Sequence, residues 1–272
     1  MSIKLIAIDM DGTLLNRQNL LTRRTREAIE MAKNKEIEIV IATGRVLKSA
    51  VHYSKELGLE SYIAASNGAV VVDKDLNKVI DRPISRRDIE RVMKAGHEMG
   101  IYFHFYNEDT FFTRTYVKEI VDYYTPTTEK LKGQSIDIRL YNSPEDIVNN
   151  EQLKIYKFLF IDKDQDKLIQ LRKNLESLES VELSKSWRDN LEVMDRGVSK
   201  GSAVKLLCER LGITADEVMA IGDNENDLSM IKFAGVGVAM GNAEDIVKEQ
   251  ADFITSSNEE DGVALAIEKY VF

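Results

Sequence analysis

Apolar residues fall along this chain in two rhythms, and the change from one to the other divides it. Residues 3–8 are apolar apart from Lys4 and run straight into Asp9-Met10-Asp11-Gly12-Thr13. Such a run is what a strand covered on both faces of a parallel sheet looks like, and Gly12 lets the backbone turn away at once. Thr22 can cap a helix reaching about residue 35 on the stripe Ala28, Ile29, Ala32, and the apolar run 37–42 then ends in Thr43-Gly44-Arg45. A helix closed by Gly58 and a short strand over 62–66, ending in Asn67-Gly68, follow. Strand and helix in alternation predict parallel pairing with right-handed crossovers. All three strands then end in small or polar clusters on one edge of the sheet, the edge where open α/β sheets keep their ligands.

After Asn67 the rhythm changes. A hairpin is expected over 70–73 and 78–80, a helix near 85–99 after Arg82-Pro83, and alternating strands over 101–106 and 110–115. Helical stretches at 117–124 and near 144–149, a strand over 153–161, a helix over 165–178 and a hairpin from 181–186 and 191–194 complete a block of α+β character. From Ser199 the first rhythm returns, with a helix to Arg210 closed by Gly212 and a strand over 218–221 ending in Gly222-Asp223-Asn224-Glu225-Asn226-Asp227. A helix to about 233, a strand at 236–239, a helix at 244–249, a strand at 253–255 and a last helix near 262–270 follow. The expected architecture is a three-layer, Rossmann-like α/β core with a parallel sheet, made of residues 1–82 and 194–272, into which a second domain of α+β character, residues 83–193, is inserted.

Composition then removes several classes of function. The chain has 37 basic and 46 acidic residues, a formal net charge of -9, and no basic block, so neither nucleic acid nor an anionic membrane is an expected partner. No apolar run reaches the ~18 residues of a membrane span and the chain opens on a strand, so a soluble cytoplasmic protein is expected, as monomer or homodimer. The single Cys208 shares a helical stripe with Val204, Leu207 and Leu211; it reads as a core thiol and excludes a disulfide within one chain.

Taken singly, the polar motifs say little. An Asp-x-Asp pair at a strand end can solvate a turn or cap a helix, Thr-Gly-Arg is weaker still, a lysine before a helix is ordinarily solvated, and the acidic run 223–227 can be a loop. Together they are the parts that a phosphoryl-transfer site needs, each at a strand or helix end where the fold can gather them. An acidic cluster also needs a compensating charge, and Mg2+ typically takes one or two carboxylates plus water and phosphate oxygens. In this order, Asp9-Met10-Asp11-Gly12-Thr13, Thr43-Gly44-Arg45, Lys200 and the segment 222–227 resemble the haloacid dehalogenase (HAD) superfamily of phosphohydrolases. More narrowly they are similar to its Cof-type branch, which includes bacterial sugar phosphatases. No motif position departs from the pattern, and the middle block agrees with the branch's large α/β cap, of the C2B type.

The resemblance implies roles. Asp9 would be the nucleophile that forms an aspartyl-phosphate and Asp11 the general acid and base, with Mg2+ held by Asp9, the backbone carbonyl of Asp11 and Asp223. It also assigns Met10, Thr43, Gly44, Lys200 and Asn226 to the phosphate, through the Thr43 hydroxyl, the Gly44 N–H and the Lys200 charge, and Asp227 to holding Lys200 or its loop. Arg45 stays open between a phosphate or substrate contact and a salt bridge at the start of the following helix. Asn67-Gly68 stays open between a site contact and a simple turn.

In the cap, Tyr102, His104 and Tyr106 share one strand face and Ile101, Phe103 and Phe105 the other. The polar aromatic face would meet the substrate's leaving group, solvent or a second subunit. His52 and His97 read as structural, and Trp187 as a packing anchor. The expected activity is a Mg2+-dependent phosphatase of small phosphorylated metabolites, with sugar phosphates favoured. A nucleotide or a cofactor such as FMN or pyridoxal phosphate is an alternative substrate, and a phosphomutase an alternative reaction on the same nucleophile. A phospho-accepting signalling module is the non-enzymatic alternative; it leaves the large cap and the second acid, Asp11, without a purpose.

Overall fold

A computed structural model of the chain describes residues 2–120 and 136–272. The first half of the core runs β1 (Leu5–Ile8), α1 (Arg23–Asn34), β2 (Glu38–Ala42), α2 (Leu47–Glu56), β3 (Tyr62–Ala65), β4 (Val70–Val72) and β5 (Lys78–Asp81). A second block follows: α3 (Arg86–Met99), β6 (Tyr102–Tyr106), β7 (Thr110–Thr113), β8 (Asp137–Leu140), α4 (Pro144–Val148), β9 (Lys157–Ile161), α5 (Gln165–Glu176), β10 (Val181–Ser184) and β11 (Asn190–Asp195). The chain then returns to the core through α6 (Lys200–Leu211), β12 (Val218–Gly222), α7 (Leu228–Phe233), β13 (Val236–Ala239), α8 (Asp245–Lys248), β14 (Phe253–Ile254) and α9 (Gly262–Val271).

The core sheet has eight strands in the order β14-β13-β12-β1-β2-β3-β4-β5. Its first six are mutually parallel, and the β4–β5 hairpin extends the edge beyond β3 in antiparallel sense. Alternation along β1 sorts its side chains: Ile6 and Ile8 pack with α1 and α9, while Leu5 and Ala7 pack with Ala203, Val204 and Leu207 of α6. Both faces are therefore covered, which is why the strand reads as one apolar run. Helix starts fall where side-chain oxygens cap them, Thr22 accepting from the Thr25 N–H, Ser85 from Asp88 and Ser199 from Ser202. No helix among the described residues is long and apolar enough to cross a membrane.

The inserted sheet has six strands in the order β10-β11-β9-β6-β7-β8, antiparallel except for the β7–β8 pair. Phe103, Phe105, Phe158, Phe160, Leu191 and Val193 point to one side and pack with α3, α4 and α5. The opposite face carries Tyr106, Phe111 and Leu159, and it clusters with Val46 at the start of α2, so it is turned toward the core. β8 was not expected; it is a four-residue edge strand holding two charges, too short and too exposed to show alternation. β9 is shorter than expected; of the helix expected over 117–124, residues 118–120 are helical and 121–124 lie outside the described residues.

The cap's own core is aromatic. The Phe105 ring lies 4.8 Å from Phe158 and 5.4 Å from both Phe112 and Tyr141. Phe105→Ala is expected to destabilise the cap by about 3–5 kcal/mol, the usual cost of emptying a buried phenylalanine site. Trp187, the sole tryptophan, lies in the β10–β11 turn, so its fluorescence during urea unfolding reports this loss directly.

Candidate active site

Parallel pairing decides which loops meet. Ile8 lies opposite Ile221 of β12 and Ile41 of β2, so the residues just beyond these strands, Asp9, Asp223 and Thr43, emerge side by side. Gly12, at φ +83°, turns the chain back under this edge, and a Cβ there would stand 2.4 Å from Asp223 Oδ2. The turn therefore needs both the left-handed backbone and the missing side chain. Thr13 in turn donates its hydroxyl to Asp223 Oδ1 at 3.0 Å.

Asp9, Asp223 and Asp227 are all buried and offer carboxylate oxygens within 4.8 Å of one another. One ammonium bridges two of them. Lys200, the first residue of α6 and only 1% exposed, donates to Asp9 Oδ1 at 2.6 Å and to Asp227 Oδ1 at 2.7 Å. The other Asp227 oxygen accepts the N–H groups of Asp223 and Asn224 at 2.8 and 3.0 Å, so Asp227 holds both the lysine and the loop. Asp223 is left with neutral donors, Thr13 and the Asn224 side-chain amide. Burial, opposed by Lys200 and assisted by the neighbouring acids, holds the Asp9 carboxyl well above the usual carboxylate range. Burial and then the charge of Asp227 push Asp223 up to about 7. Lys200 itself is raised despite its burial, because Asp227 and Asp9 favour its charged form. A site with this excess of buried negative charge suits a divalent cation, and its all-oxygen donor set suits a hard one.

Asp11 and Arg45 form a bidentate pair, Arg45 Nε donating to Oδ2 at 2.7 Å and a terminal nitrogen to Oδ1 at 2.6 Å. The guanidinium also lies 4.1 Å from the centre of the Tyr53 ring. Burial pushes the Asp11 carboxyl up, but the charge and hydrogen bonds of Arg45 outweigh it and hold the group below its ordinary value. Of the two readings left open for Arg45, the structure shows a salt bridge, made to Asp11 across the site. Met10 sends its side chain into the core, so any contact it makes with a ligand comes from its backbone. Asn226 donates to Asn67 Oδ1 at 3.3 Å, which makes Asn67 part of the same network.

Asp9, Asp11, Gly44, Arg45 and Asn226 line a cavity of about 640 Å³ between the two sheets. Tyr106, Leu159 and Trp187 of the cap line it too, so the cap strand face carrying Tyr106 is turned to this space. Trp187, expected as a packing anchor, is 42% exposed and stands at the cavity. His104 is fully buried and pairs with the Tyr106 hydroxyl at 2.5 Å; burial and the charge of Lys157 hold it well below its usual pKa and therefore neutral.

Sequence reasoning missed Lys157 and Glu192. Lys157 Nζ donates to Glu192 Oε1 at 2.7 Å and to the Gly44 carbonyl at 2.6 Å. A signal was present for Lys157, the one charge in the strand Lys-Phe-Leu-Phe-Ile, since such a charge is costly unless paired; Glu192 shares its strand with Asn190 and Asp195 and does not stand out in this way.

Comparison with known proteins agrees with this geometry. The family model for haloacid dehalogenase-like hydrolases matches residues 6–267. A Bacillus subtilis protein named 5-amino-6-(5-phospho-D-ribitylamino)uracil phosphatase YcsE is 38% identical over 272 residues, covering 99% of this chain and 96% of its own. A second B. subtilis protein with the same activity in its name, YwtE, is 30% identical over 284 residues and 98% of each chain. A solved haloacid dehalogenase-like hydrolase from B. subtilis superposes with a TM-score of 0.89 at 29% identity, over 98% of this chain and 99% of that one. The chain belongs to the haloacid dehalogenase-like hydrolases, in their Cof-type branch, and is a phosphoric monoester hydrolase.

Proposed function

We propose that the chain is a Mg2+-dependent phosphatase that cleaves a small phosphorylated metabolite through a phosphate ester on Asp9, with residues 1–82 and 194–272 as catalytic core and 83–193 as cap. The observation that carries this reading is Asp9 itself, a buried carboxylate that opens on the cavity and touches Lys200. A carboxylate oxygen attacks phosphorus and the ester oxygen leaves as an alkoxide, which takes a proton from Asp11. Asp11 then removes a proton from water; the hydroxide attacks the phosphoryl group, releasing inorganic phosphate and regenerating the Asp9 carboxylate.

Asp11 is engaged by Arg45 through both oxygens, so this role requires it to exchange the guanidinium for the substrate. Lys200 offsets the charge of Asp9 as the anionic substrate approaches, and Thr43 and Gly44 supply uncharged donors to the phosphate oxygens. Asp9, Asp223 and the Asp11 carbonyl would hold Mg2+, which supplies positive charge to the phosphate oxygens. Asp227 holds Lys200 with one oxygen and the Asp223 and Asn224 N–H groups with the other, so its part is to fix the lysine and the loop.

The cavity supports a substrate with two parts. Val46, Leu159, Ile161 and Trp187 give it an apolar side, while Ser49, Ser186 and Asn224 suit hydroxyl groups. A polyol phosphate arm carrying a flat ring has this division, and the substrate named for the two uracil phosphatases is such a compound. A plain sugar phosphate is the second reading, favoured by the same hydroxyl-binding groups.

Asp9→Asn is expected to keep the melting temperature near that of the wild type and to cut phosphate release from p-nitrophenyl phosphate by on the order of 10⁴-fold; near-normal turnover removes the nucleophile assignment. EDTA should abolish turnover and millimolar Mg2+ restore it, while Mg2+ alone raises the melting temperature by binding the folded state; activity unaffected by chelation refutes the metal reading. Phosphate release measured across phosphorylated sugars, nucleotides, flavins and ribitylaminopyrimidines should give the highest kcat/KM for esters with a polyol arm and a ring. A maximum on a simple hexose phosphate selects the second reading.

A further inference from the structure

Among the described residues, the catalytic reading leaves one buried cation without a task. Lys157 stands at the start of β9 on the core-facing side of the cap, 4% exposed. Its ammonium bonds the Gly44 carbonyl at 2.6 Å and Glu192 Oε1 at 2.7 Å; Glu192 Oε2 accepts from Asn67 at 2.7 Å, and Asn226 reaches Asn67 from the third loop at 3.3 Å. One ion pair of the cap is thus built into the loops that follow β2, β3 and β12. A buried ion pair contributes little to stability over an apolar pair of the same shape, so its presence here points to geometry.

We propose that Lys157 is a positioning residue that completes the phosphate-binding turn when the cap is seated. It holds the Gly44 carbonyl, and so sets the Gly44–Arg45 peptide plane and, through it, the Thr43 hydroxyl. Planarity of the peptide carries the effect, because in a trans peptide the C=O and the following N–H point opposite ways. The Gly44 carbonyl points at the cap's ammonium, and the Arg45 N–H donates to Thr43 Oγ1 at 3.2 Å. With that lone pair filled, the Thr43 hydroxyl proton is left to donate to an anion. The bare Gly44 also eases this approach, since a Cβ there would stand 3.1 Å from Asn67 Oδ1 and 3.2 Å from Lys157 Nζ, and both side chains would have to give by a few tenths of an ångström. Without the ammonium the glycine peptide is free to turn over and present a carbonyl to the phosphate. Other pairs also join cap to core, among them Arg172 with Glu225 at 2.6 Å and Lys185 with Glu244 at 3.2 Å.

This inference rests on the phosphate role of Thr43 and Gly44 proposed above, so Thr43→Val is measured beside the lysine variants. Lys157→Met/Glu192→Gln removes both charges at once and leaves no lone buried ion. With p-nitrophenyl phosphate its kcat is expected to fall about 100-fold, the scale for loss of one aligned donor, while KM stays within about threefold and vanadate inhibition weakens in step with kcat/KM. Ethylammonium added to Lys157→Ala, whose shortened side chain leaves room for it, should recover about tenfold of the lost rate. A double variant with normal kcat, one changed in KM alone, one that fails to fold, or a folded Lys157→Ala indifferent to ethylammonium overturns the proposal. If Thr43→Val is slow and the lysine variants are normal, only the present inference fails; if Thr43→Val turns over normally, the phosphate turn itself has been misassigned.

Discussion

A single ammonium reconciles the acids at the centre of this protein. Lys200 lies between Asp9 and Asp227, both buried, and removing one partner from such a group leaves an uncompensated charge that costs several kcal/mol. Its position depends on the core: Ser199 caps α6 so that Lys200 begins the helix, and the parallel pairing of β1 with β12 brings the two acids to the same edge. The balance stops short of neutrality. Asp223 has only neutral donors, and its carboxyl is pushed up to about 7, so the same contacts that hold the lysine also prepare a place for a cation.

The second organising constraint is the two-sidedness of the cap sheet. Period-two alternation sends Phe158 and Phe160 to the helices and Lys157 and Leu159 to the core, so one strand supplies both the cap's packing and its contact with the site. The cavity between the sheets joins acidic groups of the core to largely apolar groups of the cap. Both sheets thus face one space, and residues such as Glu192 and Asn67 tie them together.

Much of this was legible in the amino-acid order. Apolar runs ending in Asp9, Thr43 and Asp223, with helices between, imply parallel strands whose ends share an edge, and every one of those residues lies there. Helix caps at Thr22, Ser85 and Ser199 were equally local, since a cap is a bond between residues three apart. β8 escaped because an exposed edge strand of four residues carries no pattern.

The sequence by itself determined the α/β core, the loops that converge on Asp9 and the family to which the chain belongs, because these follow from periodicity and from chemistry confined to short motifs. Tertiary structure alone decided that Arg45 pairs with Asp11, that Trp187 stands at the cavity and that Lys157 reaches Gly44. Lys157 and Gly44 are 113 residues apart in the chain. Nothing local records which face of the cap will meet the core, and that choice is made only when both apolar faces have found their helices.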